Sequence, residues 1–353
     1  MHNTNKKHFI HTLGMFLIHS FFSLFIILST VWFCLAVWIQ QPFGQSFSYG
    51  LIAIWIVFAF SILGFYFTNK TLNRKTGSLI YILAFIVSLL WYFNISAKQD
   101  REWSPDVARV FSYQQQGNVI TIHNVRNFNW HSETQYDERW DTRSYNLDHI
   151  TGINVITSYW MGPEIAHTLV SFNFSDQKPL VFSIETRKEK TESFSAIGGF
   201  FRKYELSLIA ADEKDIVYTR SNIRNEQVYF FPVKIPKSEM KALFEEYLSK
   251  SKQLAKHPKW YNTLTSNCTT LVFDMVQAIS PQKLPMDYRL FASGYLPNYL
   301  YDLGALNQQW TMKQWYDKAH INPRTAEFAH FKYQNSTNFS KVVRFGLPQE
   351  QVQ

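Results

Sequence analysis

The sequence predicts three N-terminal transmembrane α-helices followed by an exported α+β domain. Three long apolar runs without Asp, Glu, Lys or Arg occupy most of residues 13–95. Beyond them, segments with two-residue alternation give way to segments with helical spacing. A lone cysteine opens the most apolar of those later helical segments.

The runs cover residues 13–39, 47–67 and 78–95, each long enough for a helix to cross the hydrocarbon core of a bilayer. The first is too long for a cleaved signal peptide, and two more follow at once. Lys6 and Lys7 precede the first run, the linker "QQPFGQSFS" is uncharged, and the next linker carries Lys70, Arg74 and Lys75. Because positive loops stay in the cytoplasm, the N-terminus and second linker are expected inside and everything after Ile95 outside. In a bacterium this describes a multi-pass inner-membrane protein with a periplasmic domain. Trp91, Tyr92 and Trp103 fall where an interfacial aromatic belt is expected.

The organisation expected is a membrane domain over 1–95, a connector over 96–118, a folded domain over 119–305 and a partly loose extension over 306–353. Within the folded domain, "GNVITIHNVRNF", "ITGINVITSYW", "IAHTLVSFNF", "LVFSIETR", "DIVYTRSN" and "QVYFFPVKI" read as strands. "HSETQYDERWDTRSYNLD" reads as a charged loop. "KSEMKALFEEYLSKSKQLAKH" and residues 268–279 read as helices; in the second, Cys268, Leu271, Val272, Met275, Val276 and Ile279 share one face. The last thirty or so residues are polar and show little periodicity, hence the expectation of a loosely held tail.

The formal net charge is +8. The basic residues are scattered and the domain is exported, so no nucleic-acid partner is expected. Attraction of Arg187, Lys188 and Lys190 to anionic lipid headgroups is one reading of that run, and a solvated loop is the other. There is no HExxH or CxxC spacing, Walker A or GxGxxG, so no metal or cofactor is expected.

Of the two cysteines, Cys34 lies in the first apolar run and Cys268 in the exported part, so they are not expected to bridge. A single thiol in an oxidising compartment is either a reactive group or a small buried hydrophobe. Cys268 sits in the first turn of its helix, where the positive end of the helix dipole favours a thiolate and free N–H groups favour an oxyanion. A nucleophilic cysteine needs a base, and the base an orienting partner. Context narrows the histidines to His123, His131, His149 and His167, of which His167 is central in a strand. A tight hairpin to the next strand pairs residues whose numbers sum to 352 or 354. Either register brings Glu185 to the same face, opposite or diagonal to His167. A plain surface cross-strand pair is the competing reading.

Four stretches in order, "NVRNFNW", "YWMGPEIAHTLVSFNF", "FSIETRKEKTESFSAIGGFFRKYEL" and "YNTLTSNCTT", resemble the bacterial DUF4105 family. That family is associated with the N-terminal periplasmic domain of Lnb, a lipoprotein N-acyltransferase. The likeness covers roughly residues 105–305. It implies a papain-like domain, permuted as in the NlpC/P60 and lecithin–retinol acyltransferase type. The strand histidine comes first and the helix-start cysteine last, the order of His167, Glu185 and Cys268. It further implies transfer of an acyl chain from membrane phospholipid, through Cys268, to an amine such as a lipoprotein N-terminus. Asn267 would support the oxyanion and Arg187 would contact substrate. In Lnb the spans follow the domain, whereas here three precede it. A cysteine peptidase or amidase acting on cell-wall peptides would use the same three residues, and a membrane-anchored sensor would use none of them.

Overall fold

The computed structural model describes residues 2–69, 71–331 and 334–348. Lys70, one of the three cations of the second linker, lies outside them. Contacts divide the chain into two units: one runs to Ala97 and includes Phe201–Lys203, and the other holds the rest.

The first unit consists of α1 (His2–Gln40), α2 (Gln45–Thr68) and α3 (Arg74–Phe93), all long and apolar enough to cross a membrane. Gly44, at φ 93°, makes the sharp turn into α2. Asn69 ends α2 in the left-handed region, and Asn73 caps α3 by accepting from Thr76 N at 2.8 Å. The seam between the helices is aromatic. Phe33 stacks on Trp55 with centroids 4.0 Å apart, and buried Tyr81 shares a 2.8 Å hydrogen bond with Ser29. Elsewhere the helices leave large apolar side chains such as Phe16, Phe21 and Phe60 exposed, as lipid-facing helices do.

The second unit is built on one eight-stranded sheet. Its strands are β1 (Ser112–Gln116), β2 (Val119–Arg126), β5 (Trp140–Asn146), β6 (Ile150–Tyr159), β7 (Ala166–Phe174), β8 (Leu180–Arg187), β9 (Glu205–Ala211) and β10 (Gln227–Val233); β3 (Asn129–Trp130) and β4 (Tyr136–Asp137) form a separate small ribbon. The order is β1-β2-β9-β8-β7-β6-β10, with β5 also on β2, and all pairings are antiparallel except β2 with β9. The helices are α4 (Glu213–Tyr218), α5 (Lys237–Lys256), α6 (Cys268–Ile279), α7 (Leu296–Asp302), α8 (Met312–Ala319), α9 (Asn322–Phe328) and α10 (Ser336–Arg344).

The alternation in β7 and β8 feeds two cores. Val170, Phe172, Phe182 and Ile184 join Phe244 and Tyr247 of α5 and Met275 of α6. Leu169 and Val181 join Trp315, Phe328 and Phe339 of the C-terminal helices. Phe182 stacks on Tyr247 at 4.6 Å, and burying each such ring stabilises the domain by about 1.5–3 kcal/mol.

Several expectations are corrected here. The charged stretch before β6 contains β4 and β5, because Tyr145 is fully buried while its neighbours face water. The connector contains β1. "DIVYTRSN" is not a strand: Asp212 caps α4 through Lys214 N, and a π-helical turn over Thr219–Ile223 continues it. The tail, expected loose, is packed over its described residues. Phe339 and Val343 of α10 are fully buried, and Arg344 pairs with the buried carboxylate of Glu213. Trp103 belongs to no interfacial belt, for it is buried beneath the Arg187 guanidinium, 4.3 Å from its ring centroid.

Candidate active site

The β7–β8 ladder pairs Leu169 with Ser183 and Phe172 with Leu180, a register summing to 352, one of the two the hairpin allowed. It stops at Leu169–Ser183. Beyond that point β7 remains on β6 out to Ala166, and β8 remains on β9 out to Arg187. The sheet therefore forks, and His167 and Glu185 stand on either side of the opening. The turn before β7 is fixed from outside. Gly294 N donates to Glu164 O, a Cβ at Gly294 would meet Pro163 O at 2.0 Å, and Ser293 Oγ bonds both backbone groups of Ala166.

The start of α6 meets β7 at the fork. Thr168 N–H donates to Cys268 Sγ at 3.4 Å, and the hydroxyls of Thr168 and Thr269 are 2.8 Å apart. His167, next to Thr168 in the chain, lies close enough to Cys268 for each to shift the other's pKa. The ring's Nε2 is 2.8 Å from Ser183 Oγ and 3.2 Å from Glu185 Oε1. Ser183 also donates to Glu185 Oε1 at 2.7 Å. The other candidate histidines have different partners: His123 meets Thr142, His131 meets Asp137 and His149 meets Asp176, all exposed.

Electrostatics favour a charge-separated pair. Burial disfavours the charge on His167, and so does Arg220. Glu185 and the Cys268 sulfur outweigh both, so its pKa is pushed up to about 9. Burial raises the Cys268 thiol, but the charge and hydrogen bond of His167, with the Thr168 N–H, bring it below its ordinary value. Burial likewise works against ionised Glu185, while His167 and Arg220 hold it well below the carboxylate range. Both cysteines are free.

Sequence reasoning missed what stands behind Glu185. Arg220, on the π-helical turn, bonds Glu185 at 2.9 Å and Glu226 at 3.0 Å, and Glu226 accepts from Ser158. Ser183 was discoverable, since it lies two residues before Glu185 on the same strand face. Tyr247 and Tyr261 lie near enough to the sulfur for its negative charge to push their hydroxyl pKa values up, though burial is the larger cause. The Tyr247 hydroxyl is buried with no hydrogen-bond partner among the described residues.

Two expected residues do other work. Asn267 is the N-cap of α6: its Oδ1 accepts from Thr269 N and Thr270 N at 2.9 Å, and its Nδ2 donates to Thr263 O at 2.7 Å. Its side chain is turned back to the helix start rather than offered to an oxyanion. Leu271 N is bonded to Asn267 O. Among the described residues, the N–H of this first turn left without an acceptor is that of Cys268 itself. Arg187 is interior. It donates to Val107 O, Ala108 O and Gln99 Oε1, and burial lowers its pKa to about 10 despite Glu205. Lys188 approaches Asp106 at 3.8 Å, so the basic run is no open headgroup patch.

The family model described as the Lnb N-terminal periplasmic domain matches residues 136–294. Over this segment, a little under half of the chain, the sequence is similar to that domain. The match lies inside the stretch, 105–305, over which the sequence resembles the family, and it contains His167, Glu185 and Cys268. No curated protein and no solved structure matches the chain. Three helices long and apolar enough to cross a membrane precede the matched segment, which points to a membrane-anchored protein. Upstream of the match, "NVRNFNW" has a structural explanation. Arg126, Phe128 N and Trp130 Nε1 all bind the buried carboxylate of Asp215, which fixes α4 and hence the turn that carries Arg220.

Proposed function

We propose that the protein is an inner-membrane cysteine acyltransferase that moves an acyl chain from a phospholipid to an amine, the N-terminus of a lipoprotein being the acceptor that the family resemblance implies. The observation that carries this reading is that the start of α6 brings Cys268 Sγ to the Thr168 N–H of β7, beside His167, whose ring Ser183 and Glu185 hold. The order of strand histidine, strand carboxylate and helix-start cysteine is the permuted papain-like order. The topology expected from the loops puts this site on the periplasmic side.

In the first half-reaction the thiolate attacks the ester carbonyl and an S–C bond forms. The oxyanion is held by the Cys268 N–H and the α6 N-terminus. The C–O bond breaks, and His167 gives its proton to the departing lysophospholipid oxygen. In the second, the amine nitrogen attacks the thioester and neutral His167 takes its proton. An N–C bond forms, the S–C bond breaks, and the thiolate–imidazolium pair is restored. Glu185 keeps the ring aligned and favours its charged form.

The same residues would serve a peptidase. The shortness of the tether favours a lipid ester: only residues 94–97 lie between α3 and the second unit. The test is intact-mass analysis of purified protein after incubation with phospholipid. A fatty-acyl adduct is expected on wild type and absent from Cys268→Ala. His167→Ala should slow its formation about 10²–10⁴-fold. Equal adduct on Cys268→Ala would sink the mechanism, and cleavage of cell-wall peptides without any acyl adduct would favour the peptidase.

A further inference from the structure

Beside the candidate nucleophile lies a cavity of about 400 Å3 that the mechanism above does not use. It runs along one side of α6 from Thr269 to Ser280, about 16 Å at the rise of an α-helix. Val170, Leu243, Val272, Phe273, Val276 and Leu296 give it apolar walls. Lys234, Glu239 and Lys283 supply charged groups to the lining. Its other polar end is the hydroxyl pair of Thr168 and Thr269, and Thr269 Oγ1 is 4.0 Å from Cys268 Sγ.

A packing defect does not account for such a space. Protein interiors close to the density of organic crystals, and voids larger than a water are few. A volume of this size is that of a ligand pocket, and apolar walls offer water few of the two to four partners it needs. The occupant they suit is a flexible hydrocarbon chain. Its Thr168–Thr269 end adjoins the nucleophile, since both hydroxyl-bearing residues touch Cys268 Sγ, Thr168 through its N–H and Thr269 through Oγ1 at 4.0 Å.

We propose that this cavity holds the fatty-acyl chain while it is carried as a thioester on Cys268, with the Thr168–Thr269 pair at its neck. This rests on the acyltransferase reading and deepens it. The bonds that form and break are those already given, and the cavity adds only the path of the chain. Val276, seven residues along α6 from Thr269, then limits the longest chain accepted when it is enlarged, because each methylene denied burial weakens binding about fourfold.

The test compares acylation of Cys268 by palmitoyl and butyryl p-nitrophenyl esters in full-length wild type and Val276→Trp, followed by intact mass. The palmitoyl-to-butyryl rate ratio should fall at least tenfold in the variant, since an indole there removes room for two or more methylenes. If Val276→Trp does not fold, a diazirine-bearing fatty acid photocrosslinked to wild type decides the matter, with labels expected within residues 270–305. An unaltered ratio, or crosslinks confined elsewhere, overturns the cavity assignment and leaves the acyltransferase reading standing. Failure of wild type to take either acyl group on Cys268 would sink the proposed function and this inference with it.

Discussion

Glu185→Gln isolates the electrostatic part of the proposed site from its geometry. The amide has nearly the shape of the carboxylate and still offers an oxygen to Nε2, so the imidazole keeps its place. The charge 3.2 Å from that nitrogen is lost. Even at the dielectric constant of water, two unit charges at this distance interact by about 1.3 kcal/mol, and about four times that at an effective constant of 20. The smaller figure is close to one pKa unit. Arg220, which already lowers the His167 pKa and would lose one of its two carboxylate partners, acts in the same direction. Imidazolium is the acid that protonates the leaving oxygen, so the rate should fall as the pH rises through about 9 in wild type. In Glu185→Gln that alkaline limb should move down by at least about one unit. The stability linkage has the matching sign. A raised histidine pKa contributes stability that is complete below the unfolded value of 6.5 and is lost as the pH rises through about 9. In the variant that loss should begin at lower pH. The assay is a pH profile of single-turnover acylation, paired with denaturant melts across the same range. An alkaline limb that stays where wild type has it would show that Glu185 does not set the charge state of His167, and the site would reduce to a dyad.

Arg220→Met should have the opposite electrostatic sign. The His167 pKa should rise and carry the alkaline limb up with it, while stranding Glu185 and Glu226 costs about 3–5 kcal/mol in a denaturant melt. Phe339→Ala empties a fully buried ring position in α10 and should destabilise the second unit by about 3–5 kcal/mol, a loss that truncation after residue 335 should exceed. Single cysteines introduced near residue 75 and at exposed Val119 should label from opposite sides of the membrane, the first from the cytoplasm; labelling of both from one side would overturn the topology read from the loops.

What the sequence disclosed of this site, and what it hid, follows from how far each interaction reaches along the chain. His167 and Glu185 sit on consecutive strands joined by a short loop, so parity alone left two registers, both of which put them on one face. Cys268 announces itself through six apolar positions at helical spacing. Arg220 is different. It lies on a turn whose residues alternate like a strand over a stretch too short to tell strand from helix, and its value to Glu185 comes from a contact 35 residues away in sequence. The tail failed for a related reason: Phe339 and Val343 have helical spacing, but over nine residues that signal is weak, and the partner of Arg344 is 131 residues distant. Asn267 and Arg187 teach a separate point. An asparagine directly before a helix has a first use for its carbonyl oxygen, which is to accept the free N–H groups of the first turn. Assigning it to an oxyanion asked one side chain to face two ways. Arg187 shares a strand face with Glu185, and that face was read as open. At Arg187, though, β8 has parted from β7 and pairs with β9 alone, and the segment over residues 99–108 lies across the side chain. An arginine there needs acceptors within the fold, and it finds them in two carbonyls and Gln99. Sharing a strand face with a candidate catalytic carboxylate is therefore no sign of contact with substrate when another segment covers that part of the strand.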